Sequence, residues 1–316
     1  MLKELGIEDA GIIVSPEWGG SVEAAVGDGC KWDTLVTYIV QPEPSGLAHA
    51  VKIASKFLGN SPFLMVLGDN VYSFDIKDFV SQFQKHNLDA LILLKHVRNP
   101  SDFGIAELDK DANLIRIEEK PQQTRSNLAV AGTYLFSPAV HEAINAIKPS
   151  WRGELEITDA IQQLIEMGKK VQGYILSGWW LDTGTANDIL VANQKVLNEF
   201  VELNIQGQLD TDSKIIGKVE VGKGAVIKAS RIRGPVSIAE SCFIENSRIG
   251  PFVSIGFSTK VMHSSVENTI IMENCDIRNI PLLANSIVGK RVVITRNQEA
   301  SNKLTLSVGD DTTIML

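Results

Sequence analysis

Cysteine is scarce. The three in this chain of 316 residues, Cys30, Cys242 and Cys275, lie far apart, with no CxxC pair and no Cys/His spacing of the kind that holds zinc. A zinc site is therefore not expected, and a reducing cytoplasm is the compartment such usage predicts. Long apolar runs are also missing: nothing approaches the ~20 residues that a membrane-spanning helix needs. The opening MLKELGIEDAG has acidic residues where a secretory signal has a basic end followed by an apolar stretch. Positive charge is the minority sign, with 30 Lys and Arg against 38 Asp and Glu, a net charge of −8 and a pI near 5.3. No cluster of Lys and Arg interleaves with aromatics, which argues against a nucleic-acid partner, because backbone binding depends on concentrated positive charge.

What is present is globular: 44% hydrophobic and 22% charged residues, in a chain longer than one core usually fills, which predicts two domains. From Ala10 to about Val201, short aliphatic runs alternate with helical ones. Gly11–Val14, Leu35–Val40, Phe63–Leu67 and Ala90–Leu94 have the form of buried parallel strands, and Leu47, Val51, Ala54 and Leu58 repeat as one core-facing helix stripe. This is the β-α alternation of a Rossmann-like, doubly wound α/β sheet, in which ligands sit at the carboxyl ends of the strands. The residues just past those ends are Gln41, Asp69 and Asn70. Thr185 and Asp188 have capping-box spacing and open a helix expected to carry Ile189, Val196 and Phe200 inward and to close a first domain spanning residues 1–204.

Over residues 205–316 the period changes. Ile215, Ile232, Ile249 and Val266 are spaced by 17, as are Val219, Val236, Val253 and Ile270, as are Val221, Ile238 and Ile255, and as are Ile227, Ile244 and Val261. Within a repeat the steps Ile215, Val221, Ile227 are six residues. The pattern resembles the left-handed parallel β-helix of hexapeptide-repeat proteins, here with about four coils, each needing its neighbours and covered ends for stability.

Several residues have the chemistry of a phosphate-handling site. Asp69 and Asp182 are carboxylates at strand-end or turn positions, and two such groups brought to one crevice suit Mg²⁺, a hard cation that takes one or two carboxylates plus phosphate oxygens. Glu119 and Lys120 precede Pro121, which imposes an extended or turn geometry and presents side chains instead of burying them in a helix. Gln41 offers both donor and acceptor, as reading a pyrimidine edge requires, and Gly46 lets a flat base approach the backbone, although a plain turn after Pro44 explains it nearly as well. His49 lies on the helix after this turn and reads as structural, since no partner is evident.

The segments QPEPSGLAHA (41–50), VLGDN (66–70), FGIAELD (103–109), IEEKP (117–121), RGELEITDA (152–160) and WWLDTGT (179–185) stand in the order and spacing of the glucose-1-phosphate thymidylyltransferase family. The chain resembles the long form of that family, which carries a β-helix tail. The resemblance implies a nucleotidyltransferase that converts dTTP and glucose 1-phosphate to dTDP-glucose and pyrophosphate for nucleotide-sugar and polysaccharide synthesis. It implies Mg²⁺ on Asp69 and Asp182, with Asp69, Lys120 and Asp182 as the catalytic set. It puts Glu119 on sugar hydroxyls, Lys120 on the sugar's phosphate, Gln41 and Gly46 on thymine, and Asn70, Gly104, Val130 and Tyr134 among the substrate contacts. A buried strand explains Val130 and Tyr134 almost as well. Where the family often has Tyr before the glycine, this chain has Phe103, to which no polar role falls. Trp179 and Trp180 are expected at the site's edge.

Three other readings stay open: a non-catalytic sugar-nucleotide sensor, a UTP-dependent uridylyltransferase, and a bifunctional enzyme whose tail transfers acyl groups, with His263 as its base. Tails of this kind commonly mediate association, so a homo-oligomer is also in view. Family members open with a strand, a GGxGTRLxPLT loop and a PKxLxPV segment that this sequence does not contain. Leu2 to Leu5 read as the last turn of a helix stopped by Gly6, so roughly 40 residues, about one strand-loop-helix unit and the second segment, are expected to be absent ahead of them. Without the loop's arginine the rate is expected to fall by several powers of ten, and neighbouring strands lose a partner edge.

Overall fold

The computed structural model describes residues 5–296 and 303–315. The helix end expected at Leu2–Leu5 lies, apart from Leu5, outside the described residues; Gly6 has the left-handed φ of 69° that helix stops use. The chain forms two compact units, Met1–Trp180 and Leu181–Leu316. No helix among the described residues is long and apolar enough to cross a membrane.

The first unit contains β1 (Asp9–Val14), α1 (Gly19–Val26), β2 (Leu35–Val40), α2 (Leu47–Ile53), α3 (Ser55–Leu58), β3 (Phe63–Val66), β4 (Asn70–Tyr72), α4 (Ile76–Lys85), β5 (Ala90–His96), β6 (Gly104–Leu108), β7 (Leu114–Glu119), β8 (Leu128–Phe136), α5 (Ala139–Ala146), α6 (Ile157–Glu166) and β9 (Val171–Ile175). The main sheet has the order β7-β6-β8-β5-β9, with β3 also on β8. Both β3 and β5 run antiparallel to β8, so they are parallel to each other with β8 between them. β1 and β2 form a separate parallel pair, Asp9 opposite Leu35 through Val14 opposite Val40.

Strand β5 shows why helices cover both faces. Ala90, Ile92 and Leu94 join a core with Val51 of α2, Ile144 of α5 and Ile161 of α6, while Leu91 and Leu93 join a second core with Phe79 and Phe83 of α4. A strand buried on both sides needs an unbroken apolar run, and ALILL supplies one.

β8 carries the irregularity that shapes the site. Its partner register on β5 slips between Ile92, opposite Tyr134, and Leu94, opposite Val130. The extra residues form a bulge around Gly132, whose φ is 64°. Before the bulge, Leu128 and Ala129 pair with β6; after it, Thr133 to Phe136 pair with β3.

The second unit begins with the remaining helix, α7 (Ala186–Phe200), capped as the sequence predicts: the Thr185 hydroxyl accepts from Asp188 N and the Asp188 carboxylate accepts from Thr185 N. The face it buries differs. Leu190, Ala192 and Leu197 are buried, whereas Ile189 and Phe200 are 38% and 64% exposed. The helix falls in the second unit. Its Asn193 accepts from Ser254 Oγ and its Gln194 donates to Asn268, both on the coils that follow, so in packing it belongs with residues 205–316.

Those coils form a parallel β-solenoid. One face has seven strands in parallel succession, from Gln208–Leu209 to Thr313–Met315, more rungs than the four repeats visible in the sequence. Three of the aliphatic columns stack as expected: Ile215, Ile232, Ile249 and Val266; Val221, Ile238 and Ile255; and Ile227, Ile244 and Val261. The fourth departs at its last member, where Val253 sits opposite Thr269, not Ile270. Earlier coils turn this corner through Gly234-Pro235 and Gly250-Pro251; the later one turns through a left-handed Asn268 with one residue fewer. Thr269 is fully buried there and its hydroxyl donates to Glu267 O at 2.7 Å. A further column, Ser230, Ser247 and Ser264, lines another corner, each hydroxyl accepting a backbone N–H from the next coil. His263 occupies a left-handed corner position, φ 50°, equivalent to Ala229 and Asn246, which accounts for it structurally.

Candidate active site

The loop after β2 is held from two sides. Gln41 N donates to Val14 O at 2.8 Å, and its side-chain Nε2 lies 3.2 Å from Gly46 O and 3.1 Å from His49 Nδ1. Leu155 N donates to Ser45 O at 2.8 Å and Leu155 O accepts from Ala48 N at 3.0 Å, which straddles Gly46. Gly46 has φ 96°, and a Cβ there would meet Leu155 O at 2.4 Å. The missing side chain is thus required first by the Leu155 backbone and by the backbone angle. His49 has the partner that sequence reasoning did not find.

Asp69 follows β3, whose end is tied to the bulge by Leu67 N donating to Gly132 O at 2.9 Å. Asn70 Nδ2 donates to Asp69 Oδ1 at 2.8 Å, and Asn70 Oδ1 accepts from Trp180 Nε1. The Asn70 amide rests on Gly132, where a Cβ would come within 3.0 Å of it. The Trp180 ring in turn packs edge-on against Phe103, centroids 5.3 Å apart. Phe103 therefore has an apolar role, and Trp180 contributes its N–H as well as its ring. Asp182 lies in the second unit, where its Oδ1 accepts from Gly184 N at 3.2 Å.

Phe103 O accepts from Lys120 N at 3.1 Å. Lys120 takes the turn alternative, not the extended one: its φ is 42°, a left-handed angle that costs a non-glycine residue about 1–3 kcal/mol and that persists only where neighbours impose it. Here the imposing neighbours are the buried Pro121 and the end of the β6–β7 pair.

Glu119 pairs with Gly104 across that hairpin. Its Oε2 accepts from Thr158 Oγ1 at 3.2 Å, and its Oε1 lies 3.8 Å from Arg152 Nη1. Burial pushes its carboxyl above the ordinary value, the Glu156 carboxylate adds to this, and Thr158, Lys120 and Arg152 pull the other way. Arg152 is shared with Glu154 at 3.0 Å and with the buried Glu156 at 3.4 Å. Val130 lines the space over Gly104. Tyr134 is only 2% exposed, stacked on Phe136 within the core, and burial raises its phenol strongly.

The structure thus brings together Asp69, Asn70, Trp180, Phe103, Lys120, Glu119, Gly104 and Val130 in an unbroken set of contacts within the first unit. The 150–158 segment joins the Gln41 loop, through Leu155, to Glu119, through Thr158. Sequence reasoning singled out RGELEITDA without a role for any of its members, and it passed over Gly132 altogether.

A family model described as nucleotidyl transferase matches residues 1–199. The chain is 44% identical over 306 residues to the glucose-1-phosphate thymidylyltransferase of Streptomyces antibioticus, covering 96% of this chain and 85% of that protein. It is 41% identical over 309 residues to the one of Streptomyces griseus, covering 98% and 86%. Among solved structures, a Bacillus anthracis protein assigned as a glucose-1-phosphate thymidylyltransferase and crystallised with sucrose is 36% identical, with a TM-score of 0.58 over 65% of this chain and 81% of that one.

Proposed function

Because the chain belongs to the nucleotidyl transferase family, among the glucose-1-phosphate thymidylyltransferases, we propose that it joins glucose 1-phosphate to dTTP, giving dTDP-glucose and pyrophosphate. An oxygen of the sugar phosphate attacks the α-phosphorus in line, one P–O bond forms, and the bond to pyrophosphate breaks. The observation that carries this reading is the run of contacts from Asp69 through Asn70, Trp180 and Phe103 to Lys120, which sets a carboxylate for a metal and an ammonium for a phosphate on one framework.

Each residue then has one task. Lys120 offers three donors to the sugar's phosphate and orients the attacking oxygen. Glu119 accepts hydrogen bonds from sugar hydroxyls, with Gly104 and Val130 leaving room for the ring. Gln41 and Gly46 meet the pyrimidine. Tyr134 supports the floor from within the core, and Asn70 orients Asp69.

Asp69 and Asp182 are the residues proposed to hold Mg²⁺. Among the described residues no three or more His, Cys, Asp or Glu gather into a cage. A pair of carboxylates completed by phosphate oxygens needs none, so the donor chemistry fits. When bound, the ion neutralises charge on the triphosphate and on the departing pyrophosphate.

Residues 1–204 are assigned as the nucleotidyltransferase domain, in keeping with the family match to residue 199, although α7 packs with the solenoid. Three free thiols accord with a reducing cytoplasm. Self-association through the coils of residues 205–316 is the assembly proposed. The test is turnover with glucose 1-phosphate and each nucleoside triphosphate, reading pyrophosphate and the nucleotide-sugar. Production of dTDP-glucose supports the proposal, preference for UTP reassigns the nucleotide, and binding of dTDP-glucose without any turnover, by a chain that carries the arginine loop, converts the reading to a sensor.

A further inference from the structure

Gln41 and His49 form a pair that the transfer reaction does not by itself require. Gly46 O can only accept, so the side-chain atom 3.2 Å from it must be the amide nitrogen of Gln41. The second hydrogen of that nitrogen is then directed at His49 Nδ1, 3.1 Å away, which accepts it as a neutral ring with its own proton on Nε2. Both amide donors are spent inside the loop. The oxygen Oε1 is left as the polar atom that Gln41 can offer to a ligand. The loop cannot relax out of this arrangement easily, because Leu155 bonds both Ser45 and Ala48 on either side of Gly46.

We infer that His49 is a positioning residue that holds the Gln41 amide as an acceptor, so that the base site admits pyrimidines with an N–H at N3, thymine or uracil, and rejects cytosine. Cytosine N3 is an acceptor and would face a second acceptor, leaving both unpaired away from water. Thymine and uracil are equivalent at N3, so the pair does not separate them. The inference rests on Gln41 reading the base, as proposed above.

The test is calorimetric titration of the full chain with dTTP, dUTP and dCTP, which differ only in the base. The wild-type chain is expected to bind dCTP at least about a hundredfold more weakly than dTTP. His49→Leu keeps the volume but releases one amide hydrogen, and the dTTP/dCTP ratio should fall by about tenfold or more while the dTTP/dUTP ratio holds. His49→Gln restores an acceptor and should restore the dTTP/dCTP ratio; His49→Ala replaces the leucine variant if that fails to fold. A ratio that stays wide in the leucine or alanine variant, or that falls equally in the glutamine variant, overturns the role of His49. Failure of the wild-type chain to bind any of the three overturns the functional reading itself, and no variant is needed to see it.

Discussion

Gly104 stands opposite Glu119 in the β6–β7 pair, and the volume a side chain would fill there is already taken: a Cβ would lie 2.8 Å from Thr158 Cγ2 and 3.0 Å from Glu119 Oε2. Gly104→Ala should therefore push Thr158 and Glu119 apart, at a cost of about 1–3 kcal/mol in stability. The KM for glucose 1-phosphate should rise by about tenfold or more, with a smaller effect on dTTP. Steady-state kinetics with each substrate varied in turn, alongside a denaturant melt, checks both; equal changes for the two substrates would contradict the placement of Glu119 on the sugar.

Glu119 gives a pH dependence whose sign can be worked out. Its folded-state value is raised above the ordinary 4.5, first by burial and then by Glu156. Between those two values the folded chain keeps a proton that the unfolded chain has lost, so this group's contribution to stability is present at low pH and is lost as pH rises through the window. Affinity for the sugar runs the other way, because hydroxyl donors need the ionised carboxylate, and it should weaken as pH falls through the same window. Glu119→Gln is expected to remove both slopes, to leave stability at neutral pH unchanged or higher, and to weaken sugar binding. Urea melts and sugar-phosphate titrations from about pH 4 to about pH 8, across the carboxylate range and its upward tail, would show it.

Asp69→Asn keeps an oxygen for the Asn70 amide but removes the charge. Turnover should drop on the order of a hundredfold or more with the fold intact, and the midpoint of a Mg²⁺ titration of dTTP binding should move upward. Trp180→Phe preserves a ring against Phe103 and deletes the donor to Asn70. It should lower activity by a smaller factor and cost about 1–3 kcal/mol for the abandoned acceptor. An asparagine variant with wild-type turnover would remove Asp69 from the mechanism.

In the solenoid, Asn268 donates to Asn285 Oδ1 and accepts from Gln194 Nε2, each at 2.8 Å, while holding φ at 42°. Asn268→Ala loses both bonds and strains the corner, whereas Asn268→Gly loses the bonds alone. The alanine variant should be the less stable of the two by about 1–2 kcal/mol in chemical denaturation. Equal stability would mean that the left-handed corner is not a constraint.

The solenoid was legible because each inward side chain meets chiefly its own column, so periodicity in sequence becomes contact in space. Ile270 was misread because a corner can drop one residue when asparagine replaces a Gly-Pro turn, and spacing alone does not register that. The faces of α7 were misjudged for a related reason: its polar Asn193 and Gln194 point into the coils, so an apolar count places the buried stripe one residue off. In the site, Gln41, Asp69, Glu119 and Lys120 announce themselves by position at or just past strand ends. Thr158, Gly132 and Leu155 do not, since each acts through a neighbour far away in the chain, the nearest of them the 39 residues between Thr158 and Glu119.

One strand serves as a common ruler for the two halves of the candidate site. β8 pairs with the hairpin that ends at Glu119 through Leu128 and Ala129, and with β3, which Asp69 follows, through Thr133 to Phe136, with the Gly132 bulge between. Inserting or deleting a residue at that bulge would slide one half past the other by about 3.3 Å. That is roughly the span of a single reactive contact, so under the proposed reaction the distance between attacking oxygen and phosphorus would depend on the residue count of a segment that touches neither.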